Sequence, residues 1–177
     1  RCWSDASKLI GAGAYTLIEG APGGIYFKHR WSEVTMIDPD KKDINWRELA
    51  AIYMMIKCLV EEKTIDLTDM NIKVFTDNMT CRWALQNMSA RVFRPDMQAL
   101  INDICEILLR FRSNLWMVHI PGVKNVNADA LSRFKYCPLE NAKDSDESMP
   151  NIISYELTCS LEVTGLKITC YSGKIGK

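Results

Sequence analysis

Apolar and polar positions follow two rhythms along this chain. Over residues 1–31 the apolar stretches are short, small or aromatic. They comprise residues 1–7, then Gly11-Ala12-Gly13-Ala14-Tyr15-Thr16-Leu17-Ile18, then Ile25-Tyr26-Phe27-Lys28-His29-Arg30-Trp31. Ala21-Pro22-Gly23-Gly24 is turn chemistry, so this region predicts three strands in an antiparallel meander. Residues 38–42 read as a charged loop. From residue 45 the period lengthens. Trp46, Leu49, Ala50, Tyr53 and Val60 recur at helical spacing and predict a helix over residues 45–62 with one apolar face. Asn45-Trp46-Arg47-Glu48 has the form of a capping box at its start.

Ile72-Lys73-Val74-Phe75 is short, β-branched and aromatic, and predicts a strand at the centre of a sheet. Asn78 or Thr80 then opens a helix through Trp83-Ala84-Leu85. Met97, Leu100, Ile101, Ile104, Leu108 and Phe111 mark a helix over residues 96–111. Residues 115–120 form a second buried strand, ended by Pro121-Gly122, and a short helix spans residues 126–134. A meander followed by β-α-β crossovers implies an α/β fold with a mixed sheet and helices on its faces.

The pattern changes after residue 134. Lys143-Asp144-Ser145-Asp146-Glu147-Ser148 is too polar to pack and reads as a flexible linker. Tyr155, Leu157, Cys159, Leu161 and Val163 then alternate with period two. After Thr164-Gly165 the alternation resumes at Leu166, Ile168 and Cys170, a candidate hairpin. The expected organisation is a domain over 1–134, a linker over 135–150 and a hairpin-like extension over 151–177.

At 177 residues and 47% hydrophobic, the chain can bury one full core. Its 22 basic residues balance 22 acidic ones, so net charge alone makes it no strong binder of nucleic acid. Seven cysteines show no C-x-x-C and no metal-finger spacing, which favours buried reduced thiols. No apolar run spans a bilayer, and no membrane association is expected. With no initiator Met and a strand-like Arg1-Cys2-Trp3, the chain reads as a piece of a longer polypeptide.

Four acids stand at matching places in this order of elements. Asp5 lies on the first strand, Glu48 in the first turn of the long helix, Asp77 at the end of the central strand, and Asp129 in the first turn of the last helix. Each has an ordinary explanation on its own. Glu48 completes a capping box, Asp129 complements the helix dipole, and Asp77-Asn78 is a turn pair. Asp5 is harder to dismiss, since an acid in an apolar strand is costly unless paired. If the four converge, they are tolerable at neutral pH only with cations among them, and oxygen ligands mean Mg2+ or Mn2+. Two such ions roughly 3.5–4 Å apart drive in-line attack of water on a phosphodiester.

Asp5-Ala6-Ser7 before a Gly-rich hairpin, Ile44-Asn45-Trp46-Arg47-Glu48-Leu49-Ala50-Ala51, Thr76-Asp77-Asn78-Met79-Thr80, and the run from His119-Ile120-Pro121-Gly122 through Asn125 to Ala128-Asp129-Ala130-Leu131-Ser132-Arg133 carry a family resemblance. Over residues 1–134 the chain resembles the RNase H domain of retrotransposon reverse transcriptases. The last motif is similar to gypsy-type LTR elements and to DIRS-type tyrosine-recombinase elements, and the Thr-Asp-Asn-x-Thr spelling leans to the second. The resemblance implies an RNase H-like fold with a mixed five-stranded sheet and helices on both faces. It also implies that Asp5, Glu48, Asp77 and Asp129 are catalytic ligands of two Mg2+ or Mn2+ ions. The implied activity is cleavage of the RNA strand of RNA–DNA hybrids, inside a cell, in the cytoplasm or nucleus. The implied partner is the polymerase domain of the same polyprotein, with the isolated domain a monomer.

Substrate contacts are expected from Asn45, Asn78 and Thr80 in the minor groove, and from Arg82, Arg91 and Arg94 on phosphates; capping and a solvated face are the ordinary alternatives. Where the cellular enzyme has a basic protrusion, this chain has only residues 89–95. Gly122 to Asn127 holds no His, and His119 reads as structural. Two other functions compete with the nuclease. One is a catalytically weak or domesticated module acting as a structural or interaction domain. The other is a DNA-cutting integrase-like enzyme, disfavoured because such sites usually place a Glu last.

Overall fold

The computed structural model describes residues 1–19, 24–31, 42–61, 65–91 and 94–135, and as backbone 152–153, 159–163 and 166–175. The expected turn at 21–23, the loop at 38–41, the linker at 136–150 and the alternation at 155–157 lie outside them.

β1 (Cys2–Ala6), β2 (Gly11–Leu17) and β3 (Gly24–Arg30) pair as the antiparallel meander that the short apolar runs predict. Ser7 shapes the first turn. Its Oγ accepts from the Ile10 and Gly11 amides at 2.9 Å each, and its carbonyl accepts from the Trp31 indole at 2.7 Å. The chain then forms α1 (Ile44–Glu61), β4 (Asn71–Thr76), α2 (Met79–Gln86), α3 (Pro95–Arg110) and β5 (Asn114–His119). A single 3-10 turn, Gly122–Lys124, and α4 (Val126–Ser132) follow. β4 pairs in parallel with both β1 and β5, so the five strands run β5-β4-β1-β2-β3 in a mixed sheet.

The sheet buries both faces. Cys2, Ala6, Ala12, Ala14, Ile72 and Val74 face the main core with α1, α2 and α3. On the other face α4 lies across β1, β2 and β3, and its Leu131 packs on Tyr15 and Tyr26. There Trp3 stacks between Tyr15 and Phe75, with ring centroids 4.7 and 4.8 Å away. α1 is buried more widely than one amphipathic face. Ile52, Met54, Met55 and Ile56 join the expected stripe because α1 lies between the sheet and α3.

The expected capping box is not formed. The first turn of α1 is capped two residues earlier, where Asp43 Oδ1 accepts from the Trp46 amide at 2.9 Å. Glu48 is therefore in the second turn and is released from any capping duty. α2 opens on Asn78, whose side chain accepts from the Cys81 amide at 3.0 Å. α4 ends at Ser132, short of the expected residue 134, as Phe134 turns to φ 52°. Cys2, Cys58, Cys81 and Cys105 are free thiols, as their apolar positions suggest.

Three further strands extend the sheet beyond β3. β7 (Cys159–Val163) and β8 (Leu166–Ile175) pair antiparallel from Val163↔Leu166 onward. β8 also pairs antiparallel with β3, and β6 (Ile152–Ile153) with β8. Among the described residues no helix is long and apolar enough to cross a membrane.

Candidate active site

Register alone brings two of the acids side by side. In the parallel pair β1–β4, Trp3 lies opposite Phe75. Two residues on, at the carboxyl ends of these neighbouring strands, come Asp5 and Asp77. α1 crosses β1 and supplies the third acid. One Glu48 oxygen accepts from the Ala6 amide, which aims the carboxylate at the end of β1. Asp5, Glu48 and Asp77 each offer an oxygen within 4.8 Å of the others.

Two close approaches hold this end together. A Cβ at Gly122 would stand 2.9 Å from Asp77 Oδ2, so the turn after β5 seats directly against that carboxylate. A Cβ at Gly13 would collide with the Ser132 amide and stand 2.5 Å from Leu131 Cβ. Gly13 pairs with Asp5, so the missing side chain lets α4 settle over the acid. Asn125, ahead of α4, is buried and donates to the Ser4 carbonyl at 2.8 Å. Ser132 then donates from Oγ to Asp5 Oδ2 at 2.5 Å.

The electrostatics follow from burial. Glu48 is only 5% exposed and its carboxyl is pushed up to about 9, by burial first and then by Asp5 and Asp77. Asp5 is pushed up to about 6, again chiefly by burial, with Asp129 and Asp77 adding to it and the Ser132 hydrogen bond opposing it. Glu48 Oε2 is buried without a hydrogen-bond partner. A buried, unpaired carboxylate oxygen facing two further acids suits a cation. The donor set is all oxygen, which fits a hard divalent ion.

Asp129 stands beside this trio and outside it. It is half-exposed, and its Oδ1 accepts from Arg133 Nε at 2.6 Å. It is still near enough to raise the pKa of both Asp5 and Glu48.

The expected substrate residues border the trio unevenly. Asn78 Nδ2 donates to Asn45 Oδ1 at 3.1 Å, joining the start of α2 to the start of α1. Asn78 is thus a cap and a neighbour of the site at once. Thr80 is exposed on the first turn of α2, and Arg82 is part-buried with its Nε unpartnered. Arg94 is committed elsewhere: its guanidinium contacts Asp43 at 2.7 Å and Asp96 at 3.2 Å. Arg91 lies over the Trp83 ring at 6.0 Å. His119 is exposed at the end of β5, opposite Thr76. Ser132, Arg133, Gly13, Gly122 and Asp43 escaped sequence reasoning. Only the Ala-Asp-Ala-Leu-Ser-Arg spelling hinted at the first two.

No protein-family model matches the sequence, and no curated protein matches it. Among solved structures the chain is similar to LC11-RNase H1 in complex with an RNA/DNA hybrid. The identity is 21%, over 73% of this chain and 91% of that one, with a TM-score of 0.52. LC11-RNase H1 isolated from compost has 21% identity over 73% and 89%, with a TM-score of 0.48. RNase H1 from the halophilic archaeon Halobacterium salinarum NRC-1 has 16% identity over 73% and 91%, with a TM-score of 0.45. With the mixed five-stranded core β5-β4-β1-β2-β3 and four α-helices among the described residues, this chain has an RNase H-like fold.

Proposed function

We propose that this chain is a metal-dependent endoribonuclease that cleaves the RNA strand of RNA–DNA hybrids. The observation that carries this reading is the meeting of Asp5, Glu48 and Asp77 within 4.8 Å, two of them buried and one oxygen left unpartnered. Asp5, Glu48 and Asp77 would hold Mg2+ or Mn2+, with Asp129 completing the set for a second ion. Such ions would supply charge neutralisation to the acids and to the phosphodiester oxygens at which water attacks.

The chain's own groups set the geometry for that chemistry. Ser132 fixes the rotamer of Asp5, the Ala6 amide fixes Glu48, and Gly122 bounds Asp77. Asn45 and Asn78, already joined to each other, present amides to the hybrid's minor groove, where 2′-hydroxyls distinguish RNA from DNA. Thr80 and Arg82 extend that surface along α2.

The motif from His119 to Arg133 supports a retroelement origin. On this reading the domain serves a reverse transcriptase within a cell, in the cytoplasm or nucleus. The neutral charge balance and the short 89–95 segment suit a monomer that depends on a fused polymerase domain for its hold on the hybrid. Labelled RNA–DNA hybrid incubated with the domain and Mg2+ or Mn2+ tests the activity. RNA fragments ending in a 3′-hydroxyl are expected, with none in EDTA. Full activity in EDTA, or equal cutting of duplex DNA, refutes the reading. Metal-dependent hybrid binding with no cleavage would favour a structural module instead.

A further inference from the structure

The C-terminal end of α4 handles two acids at once. Ser132 Oγ reaches Asp5 Oδ2 at 2.5 Å, while Arg133 Nε reaches Asp129 Oδ1 at 2.6 Å. The hydroxyl thus steadies an acid of the trio, and the guanidinium neutralises the acid left outside it. We infer that Arg133 is an exchangeable counterion. It holds Asp129 in the metal-free domain. When a divalent cation takes that carboxylate, it passes to a phosphate of the nucleic-acid strand over the site. This rests on the nuclease reading above.

Three observations support the exchange. Arg133 occupies one lone-pair direction of Asp129 Oδ1 at 2.6 Å, so a cation approaching along that direction displaces it. Arg133 is 42% exposed, and among the described residues its guanidinium is held by Asp129 alone, through Nε. Its terminal nitrogens can therefore form the two-pronged contact that suits phosphate. The neighbouring surface is also cationic. Phe134, the next residue, gathers Arg30 at 4.0 Å and Lys28 at 5.5 Å from its ring centre. Cations drawn together beside an acidic site favour an anion between them, and a nucleic-acid backbone supplies one.

Arg133→Gln and Arg133→Lys test the exchange, with Mn2+ binding followed by calorimetry in the absence of nucleic acid. Fluorescent RNA–DNA hybrid is titrated in parallel, in Ca2+ and in EDTA, over a series of salt concentrations. The Gln variant is expected to bind the weaker Mn2+ equivalent about twofold to fivefold more tightly, the scale of one exposed ion pair. Its hybrid affinity should fall in Ca2+ with a salt slope smaller by about one, and stay unchanged in EDTA. The Lys variant keeps the charge without the fork, so its Mn2+ binding should match the wild type and its hybrid affinity in Ca2+ should be intermediate. Unchanged or weakened Mn2+ binding in the Gln variant overturns the exchange, as does an equal loss of hybrid binding in EDTA. If the wild type still cleaves hybrid in either case, the nuclease reading stands alone. If the wild type binds neither Mn2+ nor hybrid, both readings fall.

Discussion

Replacing Glu48 with Gln separates the charge of this carboxylate from its shape. Glu48 is pushed from an ordinary 4.5 up to about 9 by burial beside Asp5 and Asp77. Between those values the folded chain keeps the proton and the unfolded chain has released it. The unfolded state binds fewer protons across this window, so stability falls as pH rises and levels off above about 9. From pH 5 to pH 8 the loss from Glu48 is at most ~4 kcal/mol, three units at about 1.36 kcal/mol each. Asp5, pushed up to about 6, adds on the order of 1 kcal/mol over the lower part of that range. A Gln at 48 still accepts from the Ala6 amide but carries no charge to be desolvated.

Urea unfolding in EDTA at pH 5 and pH 8 reads this out directly. The variant should match the wild type near pH 5 and exceed it by a few kcal/mol at pH 8, up to about 4. Mg2+ should raise wild-type stability more at pH 8 than at pH 5, because the ion binds the deprotonated acids. The variant should gain little from Mg2+ at either pH. A variant less stable than wild type at pH 8 in EDTA would refute the reasoning, as would wild-type stability that ignores pH. Glu48 would then not be a buried acid confined beside two others.

Asp77→Asn should abolish metal-dependent cleavage while the metal-free domain gains on the order of 1 kcal/mol from relieved repulsion; a large drop in melting temperature in EDTA would make Asp77 a structural residue. Gly13→Ala should cost about 1–3 kcal/mol by pushing α4 off β2. It should also weaken Mn2+ binding through the Ser132–Asp5 contact, and wild-type Mn2+ affinity in a folded variant would count against that link. A chain ending at residue 135 uncovers the edge of β3. It should lose a few kcal/mol at most and still cleave hybrid, and a folded but inactive truncation at saturating metal would place residues 136–177 in the site.

The strands and the acids on them were readable because both are local patterns. Ile72 to Phe75 marks itself as a strand by β-branched and aromatic spacing, and an acid at its end stands out. Asp43 was missed as the cap because Asp43 and Asn45 are both good caps two residues apart. Only the backbone decides between them, and the choice removes the capping alternative for Glu48. The Ser132–Asp5 bond joins residues 127 apart, and no spacing rule carries that far. Asp129 lies in the first turn of its helix, where its place in the sequence predicts it. Its partner, Arg133, lies one turn on and also reads as ordinary helix-surface pairing. A two-stranded hairpin is marginal alone and needs a surface to bury on, and β8 finds one at β3. Which strand it would choose was unreadable, since alternation says which face a strand buries and not which neighbour it finds.

The central place of β1 has a kinetic consequence. β1 cannot complete its pairing until β4 is made, because Cys2 lies against Val74. The meander can close early, but the parallel half of the sheet awaits a long loop closure, which slows folding. Asp5 waits longer still for the Ser132 hydroxyl, and Gly13 for the helix that covers it. A nascent chain that has emerged only through Asp77 can bring its three acids together before α4 exists to brace them. The repulsion among those acids would then act on a sheet still open on one face, so divalent ions present during synthesis should speed the final step.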